Sequence, residues 1–195
     1  MNWGYRMIVY FLASFLLGNI LTAWWVGKLY KTDLRNHRSG NLGARNAGAV
    51  IGKGAFLLTF LGDALKGVIV ILVGRYFGYP EWAVALGGLL VICGHMYPIW
   101  LKGKGGKGIA TFVGIGLTFN LLFAIAFSVA FFLVIPFIRS ATLSMIFAYL
   151  AYIGSVFYFN EFQSAWPIIV AIILIMYRHR FDFQQSFGEQ KWKRS

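Results

Sequence analysis

Uncharged stretches long enough to cross a bilayer alternate along this chain with short segments rich in lysine and arginine. A helix needs about 20 apolar residues to cross the hydrocarbon core. The charge-free runs are Met7–Gly27, Trp82–Leu101, Gly108–Ile138, Ser140–Asn160 and Phe162–Tyr177. A further run, Gly54–Gly74, is interrupted only by Asp63 and Lys66. The pattern predicts an all-α integral membrane protein, a helical bundle in which residues 1–195 form a single transmembrane domain.

The charged residues are concentrated between these runs. Lysine and arginine number 18 against six Asp and Glu, and only 12% of the residues are charged, against about 25% in soluble domains. The composition therefore excludes a soluble protein, and confining the bases to short segments disfavours the solvated basic face that nucleic-acid binding needs. By the positive-inside rule, the three basic segments belong on the cytoplasmic side. They are Lys28–Lys53, Lys102–Lys107 and Arg178–Ser195.

Placing all three segments on one side fixes the parity of the crossings. Between Gly108 and Tyr177 the chain must cross an even number of times. In one solution the long run Gly108–Ile138 folds into two short or tilted helices that break near Asn120. In the other, Ser140–Tyr177 makes one crossing and adds an interfacial piece. The total is seven or alternatively five transmembrane helices, with the N-terminus outside and the C-terminus in the cytoplasm.

The first basic segment contains a glycine-rich stretch with the properties of an anion-binding loop. Glycines let backbone N–H groups turn toward an anion, Ser and Asn side chains supply neutral hydrogen bonds, and an arginine supplies a bidentate donor for phosphate or carboxylate. A flexible loop whose arginines only set the topology uses the same residue types. The candidate binding residues are Ser39, Gly40, Asn41, Gly43, Arg45 and Asn46.

The second basic segment interleaves lysine with glycine directly before a long apolar helix, whose N-terminus also favours an anion. It is not a Walker P-loop, because no Ser or Thr follows the lysine and no strand precedes it. His95 lies just upstream in an apolar run, where helix packing on one side and an acid–base or substrate-contact role on the other are both open interpretations. The candidates in the loop are Lys104, Gly105, Gly106 and Lys107.

Two more features carry ionisable side chains. Asp63 and Lys66 are three residues apart on one helix face, either as a pair that locks the helix or as a wall of the phosphate site. The tail contributes His179. With a single cysteine and three scattered histidines, no disulfide and no metal centre are expected.

Three separated motifs of this chain resemble those of the bacterial acyl-phosphate:glycerol-3-phosphate acyltransferases, over essentially its whole length. The matching stretches are Ser39-Gly40-Asn41-Leu42-Gly43-Ala44-Arg45-Asn46, Leu61-Gly62-Asp63-Ala64-Leu65-Lys66-Gly67 and Gly94-His95-Met96-Tyr97-Pro98 with Lys102-Gly103-Lys104-Gly105-Gly106-Lys107-Gly108-Ile109-Ala110-Thr111. The resemblance implies seven helices and an enzyme of the bacterial inner membrane. Its reaction transfers a fatty acyl group from acyl phosphate to the 1-hydroxyl of glycerol 3-phosphate, giving lysophosphatidic acid and phosphate for phospholipid biosynthesis.

The residue patterns and the resemblance together suggest candidate roles. No cofactor is expected, and the partners are the two substrates and membrane lipid. Catalytic roles fall on Ser39, Arg45, His95 and Lys104. Substrate or phosphate binding falls on Gly40, Asn41, Gly43, Asn46, Asp63, Lys66, Gly105, Gly106, Lys107 and His179.

The tail departs from the family pattern. It begins with His179-Arg180 as in the family, but Asp182-Phe183 stands where the family usually has Asn-Ile, and the closing motif is shortened to Gly188-Glu189-Gln190-Lys191. Two alternatives to the acyltransferase therefore stay open. One is a small transporter or channel for a phosphorylated anion, and the other is an inactive paralogue.

Overall fold

The apolar runs form helices in the computed structural model, which describes residues 3–192 and the side chains of residues 3–188. The helices are α1 (Trp3–Gly18), α2 (Thr22–Leu29), α3 (Ala44–Val50), α4 (Lys53–Tyr76), α5 (Glu81–Met96), α6 (Ile109–Phe119), α7 (Leu121–Ile138), α8 (Ala141–Tyr158), α9 (Phe162–Arg178) and α10 (Arg180–Trp192). Short 3₁₀ turns follow α2 and α5. The all-α prediction is confirmed for the described residues.

Five segments are long and apolar enough to span a membrane: Trp3–Leu29, Lys53–Tyr76, Glu81–Leu101, Leu121–Ile138 and Ala141–Tyr158. Helices α9 and α10, bent by 54° at their junction, make a sixth if they are taken together. The chain is therefore a multi-pass membrane protein. Helix α6 is apolar but shorter, and counting it gives the seven helices that the resemblance implies. Seven crossings and an external N-terminus stay predictions.

The long run Gly108–Ile138 breaks at Asn120, as the sequence predicts. The Asn120 side chain accepts a hydrogen bond from the backbone N–H of Leu122 at 3.0 Å and so caps the start of α7. On the other side of the break, the Arg75 guanidinium donates to the carbonyls of Thr118 and Phe119 at 2.7 and 2.6 Å. These contacts satisfy backbone groups that two helix ends would otherwise leave unpaired. The run Ser140–Tyr177 likewise forms two separate apolar helices, α8 and α9.

The first apolar run is not one continuous helix, which the sequence analysis did not foresee. Helix α1 ends at Gly18 and α2 begins at Thr22. At the break, Asn19 donates to the Phe15 carbonyl at 2.7 Å and accepts from the backbone N–H of Ile99 at 2.7 Å. The Lys66 ammonium donates to the Ile20 carbonyl at 2.8 Å. Contacts from α4 and from the turn after α5 therefore hold this kink.

Helix α5 is the centre of the bundle and packs against α1, α4, α6 and α9, while α7 and α8 form an antiparallel pair beside them. Its glycines allow this close packing. A Cβ atom at Gly94 would lie 2.0 Å from the Phe15 carbonyl oxygen of α1, a distance that no side chain can occupy. The tight contacts of α5 bring its C-terminal end, which carries His95, next to the two basic loops.

Candidate active site

One cavity of about 730 Å³ brings the two basic loops together with the end of the chain. Its wall combines cations, small polar groups and, toward α4 and α8, apolar side chains. The residues that line it are Arg38, Ser39, Asn41, Gly43, Ala44, Arg45, Asn46, Ala49, Phe56, Phe60, Asp63, His95, Lys107, Gly108, Ile109, Ala110, Ala141, Thr142, Met145, His179, Asp182, Gln185 and Ser186. The site thus joins segments that are far apart in the sequence.

The first loop is fixed by buried contacts and presents its polar side chains to the cavity. Leu42 is buried, and Asn46 is 4% exposed and donates to the Leu34 carbonyl at 3.0 Å. Gly40 has a φ of +64°, in the left-handed region that favours glycine. Ser39 and Arg45 are exposed on the cavity wall. The loop therefore combines a rigid base with a hydroxyl and a guanidinium that a ligand can reach.

The second loop is held against α5 by backbone hydrogen bonds. The N–H groups of Gly105 and Gly106 donate to the carbonyls of Met96 and His95, each at 3.1 Å. A Cβ at Gly106 would lie 2.1 Å from His95 Nε2 and 2.8 Å from the Leu42 carbonyl oxygen. A glycine is therefore required where the two loops and His95 meet.

The lysines of this loop differ in position. Lys107 lies on the cavity wall with its side chain 25% exposed. Lys104 is exposed to solvent and is absent from the cavity lining just given, although the sequence analysis ranked it among the catalytic candidates. Gly105 and Gly106 are buried behind the wall. Of the cations in the second loop, Lys107 is thus the one that the structure brings to the cavity.

Asp63, Lys66 and His95 form a cluster inside the bundle, here called the buried cluster, with exposures of 1%, 4% and 3%. Lys66 Nζ lies 2.9 Å from Asp63 Oδ1 and 3.0 Å from His95 Nδ1. It also donates to the Ile20 carbonyl at the kink between α1 and α2. Of the two interpretations left open by the sequence, locking the helix therefore fits Lys66. Asp63 and His95 also reach the cavity wall.

The contact with Lys66 determines which ring nitrogen of His95 carries the proton. A lysine amine donates hydrogen bonds, so His95 Nδ1 accepts one. A doubly protonated ring would direct an N–H at this ammonium group. The neutral ring therefore carries its proton on Nε2, on the side where Gly106 lies.

A second cluster of the same residue types lies at the cavity rim and is formed by Asp182, Lys107 and His179, here called the rim cluster. Lys107 Nζ and His179 Nδ1 both contact the same oxygen, Asp182 Oδ2, the latter at 2.7 Å. The Asp182 side chain is 31% exposed. The sequence analysis treated Asp182 only as a departure from the family pattern. Its spacing of three residues from His179, which directly precedes α10, was the signal for this contact.

The rest of the tail motif contributes less to the cavity. Arg178 lies over the Tyr97 ring at 5.4 Å, and its guanidinium is 3.5 Å from the Gly105 carbonyl oxygen. Arg180 donates to the Tyr177 carbonyl, outside the cavity wall. Of the closing stretch that follows Gly188, the side chains of Glu189, Gln190 and Lys191 lie outside the described residues.

A cavity of a membrane protein with several cations beside an apolar wall is suited to an enzyme or carrier that handles phosphorylated, lipid-like molecules. Comparison with known proteins identifies the class. Residues 8–188 match the family model described as glycerol-3-phosphate acyltransferase. The chain belongs to this glycerol-3-phosphate acyltransferase family.

Individual relatives support the assignment to this family. Glycerol-3-phosphate acyltransferase 1 of Bacillus cereus is 53% identical over 118 residues, which are 60% of this chain and 65% of that protein, so the match spans just under two thirds of this relative. The Geobacillus kaustophilus glycerol-3-phosphate acyltransferase is 36% identical over 93% of both chains. The crystal structure of PlsY (YgiH), an integral membrane glycerol 3-phosphate acyltransferase, in its glycerol 3-phosphate form has a TM-score of 0.86 and 31% identity, and the match covers 94% of this chain and 93% of that one.

Proposed function

We propose that the protein transfers a fatty acyl group from acyl phosphate to the 1-hydroxyl of glycerol 3-phosphate, giving lysophosphatidic acid and phosphate. The observation that carries this proposal is the single cavity in which both basic loops meet an apolar wall. Family membership supports the acceptor, since the solved relatives include a glycerol 3-phosphate form and a lysophosphatidic acid form. An acyl phosphate fits the combination of cations and apolar side chains.

The residues of the cavity divide between the two ends of such a donor. Arg45 and Lys107 supply the positive charge that phosphate groups need, and Ser39 and Asn41 supply neutral hydrogen bonds. Phe56, Phe60 and Met145 line the same cavity and offer contact to an acyl chain. Lys104, exposed at the second loop, acts at a greater distance, by attracting the substrates.

The reaction needs positioning and charge stabilisation, because acyl phosphate is a mixed anhydride with a good leaving group. The oxygen of the 1-hydroxyl attacks the acyl carbonyl carbon, the new ester C–O bond forms, and the C–O bond to phosphate breaks. His95 lies on the cavity wall, and its ring N–H serves as a donor to the developing negative charge. A phosphate oxygen of a substrate then takes the hydroxyl proton.

The location follows from the charge pattern. The two basic loops and the basic tail support a cavity at the cytoplasmic face of the bacterial inner membrane, by the positive-inside rule. Seven spans and an external N-terminus complete this proposed topology. Both substrates then enter from the side on which soluble phosphorylated metabolites occur.

The test is an assay of the purified protein in detergent with acyl phosphate and glycerol 3-phosphate. Formation of lysophosphatidate supports the proposal. Its absence, combined with uptake of glycerol 3-phosphate into vesicles, would instead identify a transporter. Absence of both activities in a folded protein would identify an inactive paralogue.

The site assignment is tested separately by Arg45→Ala, which removes a cation from the wall and is expected to abolish transfer while the protein remains folded. Lys104→Ala is expected to reduce transfer strongly but less than Arg45→Ala, because Lys104 lies off the wall. Arg35→Ala is the matched control, since Arg35 is in the same basic segment but pairs with Asp33 outside the cavity. Full activity in both the Arg45 and the Lys104 variants would refute the assignment.

A further inference from the structure

The rim cluster has a feature that the proposed reaction does not use. One carboxylate oxygen, Asp182 Oδ2, receives both the Lys107 ammonium and the His179 ring N–H. A neutral His179 ring therefore carries its proton on Nδ1 and donates it to Asp182 Oδ2. Two donors from separate parts of the chain thus converge on one anionic oxygen. Phosphate oxygens are bound in the same way, by charge-assisted hydrogen bonds from several donors.

Because of its position, Asp182 Oδ2 can be replaced by a ligand oxygen as the partner of Lys107. Asp182 and Lys107 both line the cavity, with side chains 31% and 25% exposed. The other carboxylate of the cavity wall, Asp63, is 1% exposed and is held by Lys66 within the bundle. Asp182 is therefore the wall carboxylate that a ligand can reach. Its negative charge opposes the binding of a phosphate group to Lys107.

We infer that Asp182 is an internal stand-in for a substrate phosphate. It holds Lys107 and His179 in the arrangement that a phosphate group needs. When a phosphate group binds, Lys107 leaves Asp182 and pairs with the phosphate. Asp182 is a positioning residue that weakens phosphate binding and thereby assists release of the phosphate product. This inference rests on the proposed function in taking the cavity as the site for phosphate groups.

The test compares binding of inorganic phosphate by the full-length protein and by Asp182→Asn, using isothermal titration calorimetry in detergent at neutral pH. The variant keeps the size and the oxygen acceptor of the side chain and removes the charge. We expect Asp182→Asn to bind phosphate about fivefold more tightly. Asp182→Glu, which keeps the charge, is expected to bind phosphate as the parent protein does.

Asp33→Asn is the matched control because it removes the same charge outside this cavity. Asp33 pairs with Arg35 at 2.7 Å, and the hydrogen bond from Arg35 lowers the pKa of the Asp33 carboxyl to about 2, so that it is ionised at neutral pH. We expect its phosphate affinity to be unchanged. Equal tightening in the Asp33 and Asp182 variants would reveal an effect of net charge alone and overturn the inference.

Steady-state kinetics adds a readout that a purely structural residue would not change. Asp182→Asn is expected to lower the KM for glycerol 3-phosphate and also to lower kcat, because product phosphate leaves more slowly. Weaker or unchanged phosphate binding in folded Asp182→Asn would overturn the inference, as would the absence of phosphate binding in both proteins. If phosphate binding tightens as expected but the parent protein forms no lysophosphatidate, the stand-in is supported and the proposed reaction is refuted.

Discussion

The buried cluster and the rim cluster each contain one aspartate, one lysine and one histidine, but they differ in environment. In the buried cluster all three residues are at most 4% exposed, and the lysine also donates a hydrogen bond at the kink between α1 and α2. In the rim cluster the aspartate and lysine side chains are 31% and 25% exposed at a cavity. The lysine therefore supports the bundle in the buried cluster and faces the cavity in the rim cluster.

The difference follows from the cost of leaving a charge unpaired. A buried ion whose partner is removed loses its compensation and has no water to replace it. A partly exposed ion pair is screened by solvent and contributes little to stability, so its members can change partners. Burial thus determines whether such a trio is a structural or an exchangeable element. Three substitutions test this contrast.

The largest effect is expected for Lys66→Met in the buried cluster. The substitution leaves the Asp63 carboxylate without its ion pair and the Ile20 carbonyl without its donor. We expect the free energy of unfolding to fall by about 3–5 kcal/mol. The measurement is reversible denaturation in detergent, with Lys107→Met as the matched substitution. A loss below about 1 kcal/mol would mean that the buried cluster does not support the fold.

A smaller and different effect is expected for Lys107→Met in the rim cluster. The free energy of unfolding should change by no more than about 1 kcal/mol, because the pair is partly exposed. The rate of acyl transfer, measured as kcat/KM for glycerol 3-phosphate, should fall about 10- to 100-fold through loss of a cation from the wall. Comparable destabilisation in the Lys66 and Lys107 variants would erase the contrast between the clusters.

The smallest effect is expected for Asp33→Asn, in a surface pair that belongs to neither cluster and whose side chains are 39% and 46% exposed. Since Arg35 lowers the pKa of Asp33 to about 2, any stabilisation by the ionised carboxyl is present above its ordinary pKa near 4 and disappears as the pH falls toward 2. At neutral pH the unfolding midpoint of this variant should match that of the parent protein. A shift as large as that of Lys66→Met would show that burial is not the deciding variable.

Local signals in the sequence were sufficient for much of this fold. The length of the run Gly108–Ile138 predicted, as one of two solutions, the break near Asn120 that separates α6 from α7. The spacing of Asp63 and Lys66 predicted that they share a helix face. Each of these inferences concerns residues that are close together in the chain, where helix geometry fixes their relation.

The features of the fold and the site that the sequence did not predict depend on contacts between distant segments. The pairing of Lys107 with Asp182 spans 75 residues and depends on how α9 and α10 meet the second loop. The exposure of Lys104, three residues before Lys107, depends on the turn that the loop makes against α5. The spacing of residues in the sequence does not predict where these side chains lie, because loop residues do not follow the period of a helix or a strand.

The kink between α1 and α2 shows where one part of the fold obtains its stability. A backbone carbonyl without a partner costs several kcal/mol in hydrocarbon, and the Ile20 carbonyl obtains its partner from Lys66 of α4. The turn after α5 supplies a further contact, the Trp100 indole N–H to the Asn19 carbonyl at 2.9 Å. The kinked segment Trp3–Leu29 is thus shaped by later segments of the chain. Its bent form is a property of the assembled bundle, and an isolated segment of residues 3–29 would lack the groups that hold it bent.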